Sequence, residues 1–76
     1  MRWIDLDKTI KKNQENGLRI NQAEMARITG FSRTMVNKWC KGRSGMSKGT
    51  NKFLIIFLNS NNYEVIYKKK EDVESK

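Results

Sequence analysis

Two short helical patterns, separated by only a few residues between Asn21 and Gly42 (NQAEMARITGFSRTMVNKWCKG), constrain this chain more than any other feature. Asn21 stands three residues before Glu24, the spacing of a capping box with asparagine in place of serine or threonine. Ile20 and Met25 are placed as a hydrophobic staple. Ala23, Met25, Ala26 and Ile28 give this first helix its apolar character, and it should end at Thr29–Gly30. Ser32 then caps a second helix, with Phe31 and Val36 at staple positions. Val36, Trp39 and Cys40 form its buried side, Arg33, Thr34, Asn37, Lys38 and Lys41 point elsewhere, and Gly42 closes it.

The joint spacing Gln22-x3-Ala26-x3-Gly30-x5-Val36-x2-Trp39 has a packing meaning. Ala26 falls where two helices cross and only a small side chain permits close approach. Gly30 falls in the turn, where a positive φ is required. Val36 fills the crease between the helices, and Trp39 seals the core as a packing residue, not a stacking platform. Two helices joined by a tight glycine-containing turn are the helix-turn-helix unit, whose second helix enters the DNA major groove.

The flanks hold this unit. Over Met1–Asn16, the positions of Trp3, Leu6 and Ile10 predict a helix with a frayed or extended lead-in, with Asp5 or Asp7 as N-cap and Gly17 as its stop. Asn13 and Gln14 stand where the next apolar residue would fall. Residues 43–49 (RSGMSKG) read as a basic loop, and Thr50 or Asn51 as the cap of a fourth helix reaching about Asn59. Its run Phe53–Leu58 is apolar all round, so it needs a second surface to cover it. Tyr63–Tyr67 (YEVIY) is β-branched and aromatic and reads as a strand. With no other strand visible in the sequence, its edge would pair with the same strand of a second copy. The expected organisation is one domain over residues 1–70, its strand at about 63–68, with a polar tail at 71–76.

Composition narrows the chemistry. A domain of 76 residues buries a small fraction of its surface and gains from an added constraint. Cys40 is the only cysteine and histidine is absent, so neither an internal disulfide nor a zinc set is available. A partner subunit remains. The lone cysteine fits a reducing cytoplasm, and it is expected to act as a small buried hydrophobe. Residues 1–20 lack the apolar centre of a signal peptide. The longest apolar run, six residues, is far short of the ~20 that span a bilayer.

The formal net charge of +8 is concentrated: between Glu24 and Glu64 there is no acid, while Arg27, Arg33, Lys38, Lys41, Arg43, Lys48 and Lys52 fall there. A one-sign block inside a folded domain is the footprint of a polyanion, with nucleic acid expected ahead of a membrane surface or an acidic protein. The aromatics occupy core positions, which favours duplex DNA over stacked single-stranded RNA. No glycine-rich phosphate loop and no paired buried carboxylates are visible, so no enzyme, cofactor or metal is expected.

NQAEMARITGFSRTMVNKW resembles the helix-turn-helix of the Xre-like family, which includes phage Cro and repressor proteins and many antitoxins. The resemblance implies a mainly α, lambda-repressor-like domain of four helices with a C-terminal strand pairing across a homodimer. The linker Gly17–Asn21 is longer than the family's usual connection, and a strand stands where larger repressors have a fifth helix. By position, the resemblance implies base contacts from Arg33, Thr34, Asn37 and Lys38. It implies phosphate contacts from Gln22, Ser32, Lys41, Arg43, Ser44 and Lys48, and a dimer interface of Phe53, Phe57, Tyr63, Val65, Ile66 and Tyr67. Arginine can grip guanine, asparagine adenine, and threonine a thymine methyl. The expected function is a dimeric regulator, a Cro-type repressor of a palindromic operator. The alternative is an antitoxin that binds a toxin protein, its contact being the acidic stretch Glu71–Glu74. Lys68–Lys70 suits either solubility or DNA contact.

Overall fold

Helix α1 (Leu6–Glu15) begins where Asp5 can cap it, its Oδ1 accepting the Lys8 N–H at 3.1 Å. The computed structural model describes residues 2–42 and 45–68. Asp5 is one of the two caps expected from the sequence, and an extended lead-in precedes it as expected; the correction concerns Trp3. Trp3 is not on the helix; residues 2–5 are an extended lead-in that places Ile4, 1% exposed, in the core. The buried side of α1 is Leu6, Thr9, Ile10 and Asn13, a helical spacing in which two polar residues take apolar places.

Helices α2 (Gln22–Thr29) and α3 (Arg33–Cys40) stand where the spacing predicts. Asn21 Oδ1 accepts the Glu24 N–H at 2.8 Å. The reciprocal half of the capping box is absent, because Glu24 turns to the Arg27 guanidinium, whose Nε donates at 3.1 Å. That hydrogen bond holds the Glu24 carboxyl below its ordinary range. Gly30 closes α2 at φ 84°, its N–H donating to Ala26 O. A Cβ at Gly30 would meet open space, so glycine is needed for the backbone angle and not for room. Ser32 Oγ caps α3 by accepting from the Met35 N–H. Helix α3 packs on both α1 and α2, and Met25, Ala26, Val36 and Trp39 are buried.

Helix α4 (Lys48–Ser60) starts three residues before the expected cap, because Ser47 takes that role by accepting the Thr50 N–H at 3.1 Å. Leu54 and Leu58 are fully buried, whereas Phe53 and Ile56 are 43% and 54% exposed. Aromatic rings tie α4 to α3. Phe31 meets Trp39 edge-on at 5.2 Å and Phe53 at 5.8 Å, and Phe53 stacks on Phe57 at 5.6 Å.

After Asn62, whose φ of 66° makes the turn, residues 63–68 run back along the domain. The sequence reading gave this stretch no mate within the chain. It has one. The extended lead-in takes that place: the Asp5 N–H donates to Ile66 O and the Lys68 N–H to Trp3 O, both at 2.8 Å, around an antiparallel Ile4–Tyr67 bridge. The described residues thus form four helices and no sheet, with one isolated bridge in place of the expected strand.

Three fully buried polar side chains complete this tie. Asn13 donates to Glu64 O and accepts from Glu64 N–H, each at 2.9 Å. Thr9 Oγ1 accepts from Ile66 N–H at 3.0 Å. Asn51 of α4 accepts from Ile4 N–H and donates to Arg2 O, each at 2.9 Å. These side chains act as the missing strands of a sheet, satisfying backbone groups that burial would otherwise leave costly. No buried side-chain N or O among the described residues lacks a partner. Arg43, Ser44, Lys69, Lys70 and the tail 71–76, with the acidic stretch Glu71–Glu74, lie outside the described residues.

Candidate nucleic-acid interface

Helix α3 separates its side chains by role. Val36 and Trp39 face the core and Cys40 is half-buried, while Arg33, Thr34, Lys38 and the capping residue Lys41 are exposed. Thr34, Asn37, Lys38 and Lys41 line one shallow depression of about 210 Å³. The Lys38 side chain lies beside Gly45, where an added Cβ would stand 3.6 Å from its Cδ.

Half-buried Asn37 is held in place by α2. Its Nδ2 donates to Gln22 Oε1 at 2.9 Å, joining the first residue of α2 to the exposed face of α3. Among the described residues nothing else bonds the Asn37 amide, which leaves one N–H and Oδ1, the pair an adenine edge requires. Helix α3 thus carries an amide whose orientation is set within the fold. Ser32 holds a cap bond as acceptor but keeps its hydroxyl hydrogen for donation. Lys48 is exposed on the first turn of α4. Arg43 and Ser44 are not among the described residues.

The charges of this face have no ion-pair partner among the described residues. The ion pairs among the described residues are Lys11–Asp7, Lys12–Glu15 and Arg27–Glu24. Arg33, Lys38, Lys41, Lys48 and Lys52 pair with no described carboxylate. Met35 belongs beside this set and was not foreseen; it is 40% exposed on the first turn of α3. The sequence hint was its position between the exposed Thr34 and the buried Val36, outside the apolar spacing.

The residues assigned to a dimer interface divide differently. Phe57, Tyr63 and Val65 pack against the chain's own core, and Phe53 lies between Phe31 and Phe57. Ile66 and Tyr67 are half-buried, with the Arg2 guanidinium 4.1 Å from the centre of the Tyr67 ring.

A further depression of about 400 Å³ lies between Asp5, Asp7, Lys8, Cys40, Lys41 and Lys68. Burial, aided by Asp7 and Asp5, pushes the Cys40 thiol up to about 11. Since thiolate is the reactive form, alkylation of the folded protein at pH 8 should run about a hundredfold slower than that of the unfolded chain. Equal rates in both states, followed by mass spectrometry, would show the thiol to be unprotected.

No described group of His, Cys, Asp and Glu could hold a metal ion, and no described helix is long and apolar enough to cross a membrane. No family model matches the chain, and no curated protein or solved structure matches it.

Proposed function

We propose that this chain is a sequence-specific DNA-binding regulator of helix-turn-helix type, acting as a homodimer on a palindromic operator and repressing by occluding a promoter. The observation that carries this reading is the exposed face of α3, where Thr34, Asn37, Lys38 and Lys41 share one depression without a described counter-ion. The acid-free basic interval around that face supports it. In this reading α3 enters the major groove, with Arg33, Thr34, Asn37 and Lys38 toward base edges and Met35 toward a thymine methyl. Gln22, Ser32, Lys41 and Lys48 approach phosphates, Gln22 aided by the positive end of α2. Two such helices would occupy successive major grooves about 34 Å apart.

Selection from random duplex DNA is the test, with recovery of a two-fold symmetric site as the expected result. On that site Asn37→Ala should cost about 1–3 kcal/mol and relax preference at one base position. Gln22→Ala should do part of the same damage. The double substitution should cost less than the sum of the two, because they share one hydrogen bond. Lys41→Ala should weaken all sequences alike and lower the salt slope by about 1. Equal loss on selected and random DNA for Asn37→Ala would remove its base-reading role.

A further inference from the structure

Helix α1 ends in a closure that a glycine makes possible. Asn16 is its C-cap, at φ −79° and ψ 3°, and Gly17 follows at φ 89°. The Gly17 N–H donates to Gln14 O and the Leu18 N–H to Asn13 O, each at 3.0 Å, which are the two bonds of a Schellman motif. Asn16 and Gly17 are both exposed. Asn16 Nδ2 donates to Glu64 Oε1 at 3.2 Å, so the side chain of the cap reaches the returning stretch 63–68. Buried Asn13 holds the backbone of the same residue, donating to Glu64 O and accepting from its N–H.

We propose that Asn16 is a modification site, where spontaneous deamidation turns a contact that holds Glu64 into one that repels it. Asn16 alone among the asparagines of the chain precedes glycine, whose nitrogen has no neighbouring Cβ to shield it. Every other asparagine precedes a residue with a side chain, and Asn13 and Asn51 are in addition fully buried. In the reaction the Gly17 backbone nitrogen attacks Cγ of Asn16. The N–Cγ bond forms, the Cγ–Nδ2 bond breaks, and Nδ2 leaves as ammonia with the proton that the Gly17 nitrogen gives up. Water then opens the cyclic imide at either carbonyl. Opening at Cγ leaves aspartate, and opening at the backbone carbonyl leaves isoaspartate, with the main chain running through the side chain.

The fold sets the pace of this reaction and its consequence. A ψ near zero turns the Gly17 nitrogen away from the Asn16 side chain, and the Schellman bond to Gln14 O holds it there. Attack therefore requires the helix end to open, a local event at an exposed terminus. Afterwards residue 16 has no N–H to donate. Its carboxylate faces that of Glu64 and adds negative charge at the negative end of α1. The isoaspartate form also lengthens the backbone inside the Schellman closure, beside the Asn13 that clasps Glu64.

Peptide mapping of the folded full chain, held in mildly alkaline buffer and followed by mass spectrometry, is the test. Asn16 should be the first asparagine converted, to both aspartate and isoaspartate, and unfolding in urea should speed its conversion about tenfold. Conversion of another asparagine first, or Asn16 still intact in the folded chain after the unfolded chain has fully converted, would overturn the site. The consequence is read from Asn16→Asp, which should melt about 2–5 °C below the unmodified chain. Adding Glu64→Gln should recover most of that shift, because a glutamine amide can donate to the new carboxylate. An unchanged melting temperature for Asn16→Asp, or a loss that Glu64→Gln leaves in place, would overturn the repulsion.

Discussion

Trp39→Ala should destabilise the domain by about 3–5 kcal/mol, the cost of emptying a tryptophan-sized space in a packed core. Trp39 is 5% exposed, and its ring is the meeting point of α3 with Phe31 and, through Phe31, with the Phe53–Phe57 stack of α4. Small domains have about 5 kcal/mol or little more in hand, so the variant should be largely unfolded near 37 °C. Trp39→Phe keeps an edge-on partner for Phe31 and should lose substantially less. Urea midpoints for the two variants check this ordering. A loss below about 1 kcal/mol for the alanine variant would mean that Trp39 does not hold the helices together.

Asn51→Leu should cost about 2–4 kcal/mol, although it replaces a polar residue by an apolar one of similar size in a fully buried place. Asn51 accepts from the buried Ile4 N–H and donates to Arg2 O. Leucine would leave both backbone groups without partners and would loosen the lead-in that holds residues 66–68. For a domain of this size the melting temperature should fall by about 10–25 °C. Asn59→Ala, on the exposed side of the same helix, should change stability by no more than about 0.5 kcal/mol. An unchanged melting curve for Asn51→Leu would show that the terminal segment is not held by this side chain.

The central helices were legible because their signals are local. Asn21, Ser32 and Gly30 act within a few residues of themselves, and Ala26, Val36 and Trp39 repeat at helical spacing. How the two ends are tied together was not legible, because what fixes them is long-range. Asn51 reaches Ile4 across 47 positions, and Thr9 reaches Ile66 across 57. Asn13 looked like a gap in an apolar stripe, yet it is a fully buried side chain bonded to the backbone of Glu64. Nothing in periodicity distinguishes a polar residue facing water from one that substitutes for a neighbouring strand. The candidate site shared this division. Arg33, Thr34 and Lys38 follow from helical phase alone, whereas the bond from Asn37 to Gln22 needs two helices to be placed together. The early start of α4 was missed for a simpler reason: Ser47 and Thr50 are both good caps, and Asn51 was needed elsewhere.

The lead-in Trp3–Asp5 has a consequence for how large an assembly can grow. An extended segment open on both sides can add neighbours in both directions and continue without limit, the route by which strands build fibres. Here the inner side is filled within the chain, by Trp3 and Asp5 and by the side chains of Thr9 and Asn13, so that side is closed to a further strand. Growth on that side is blocked by the fold itself.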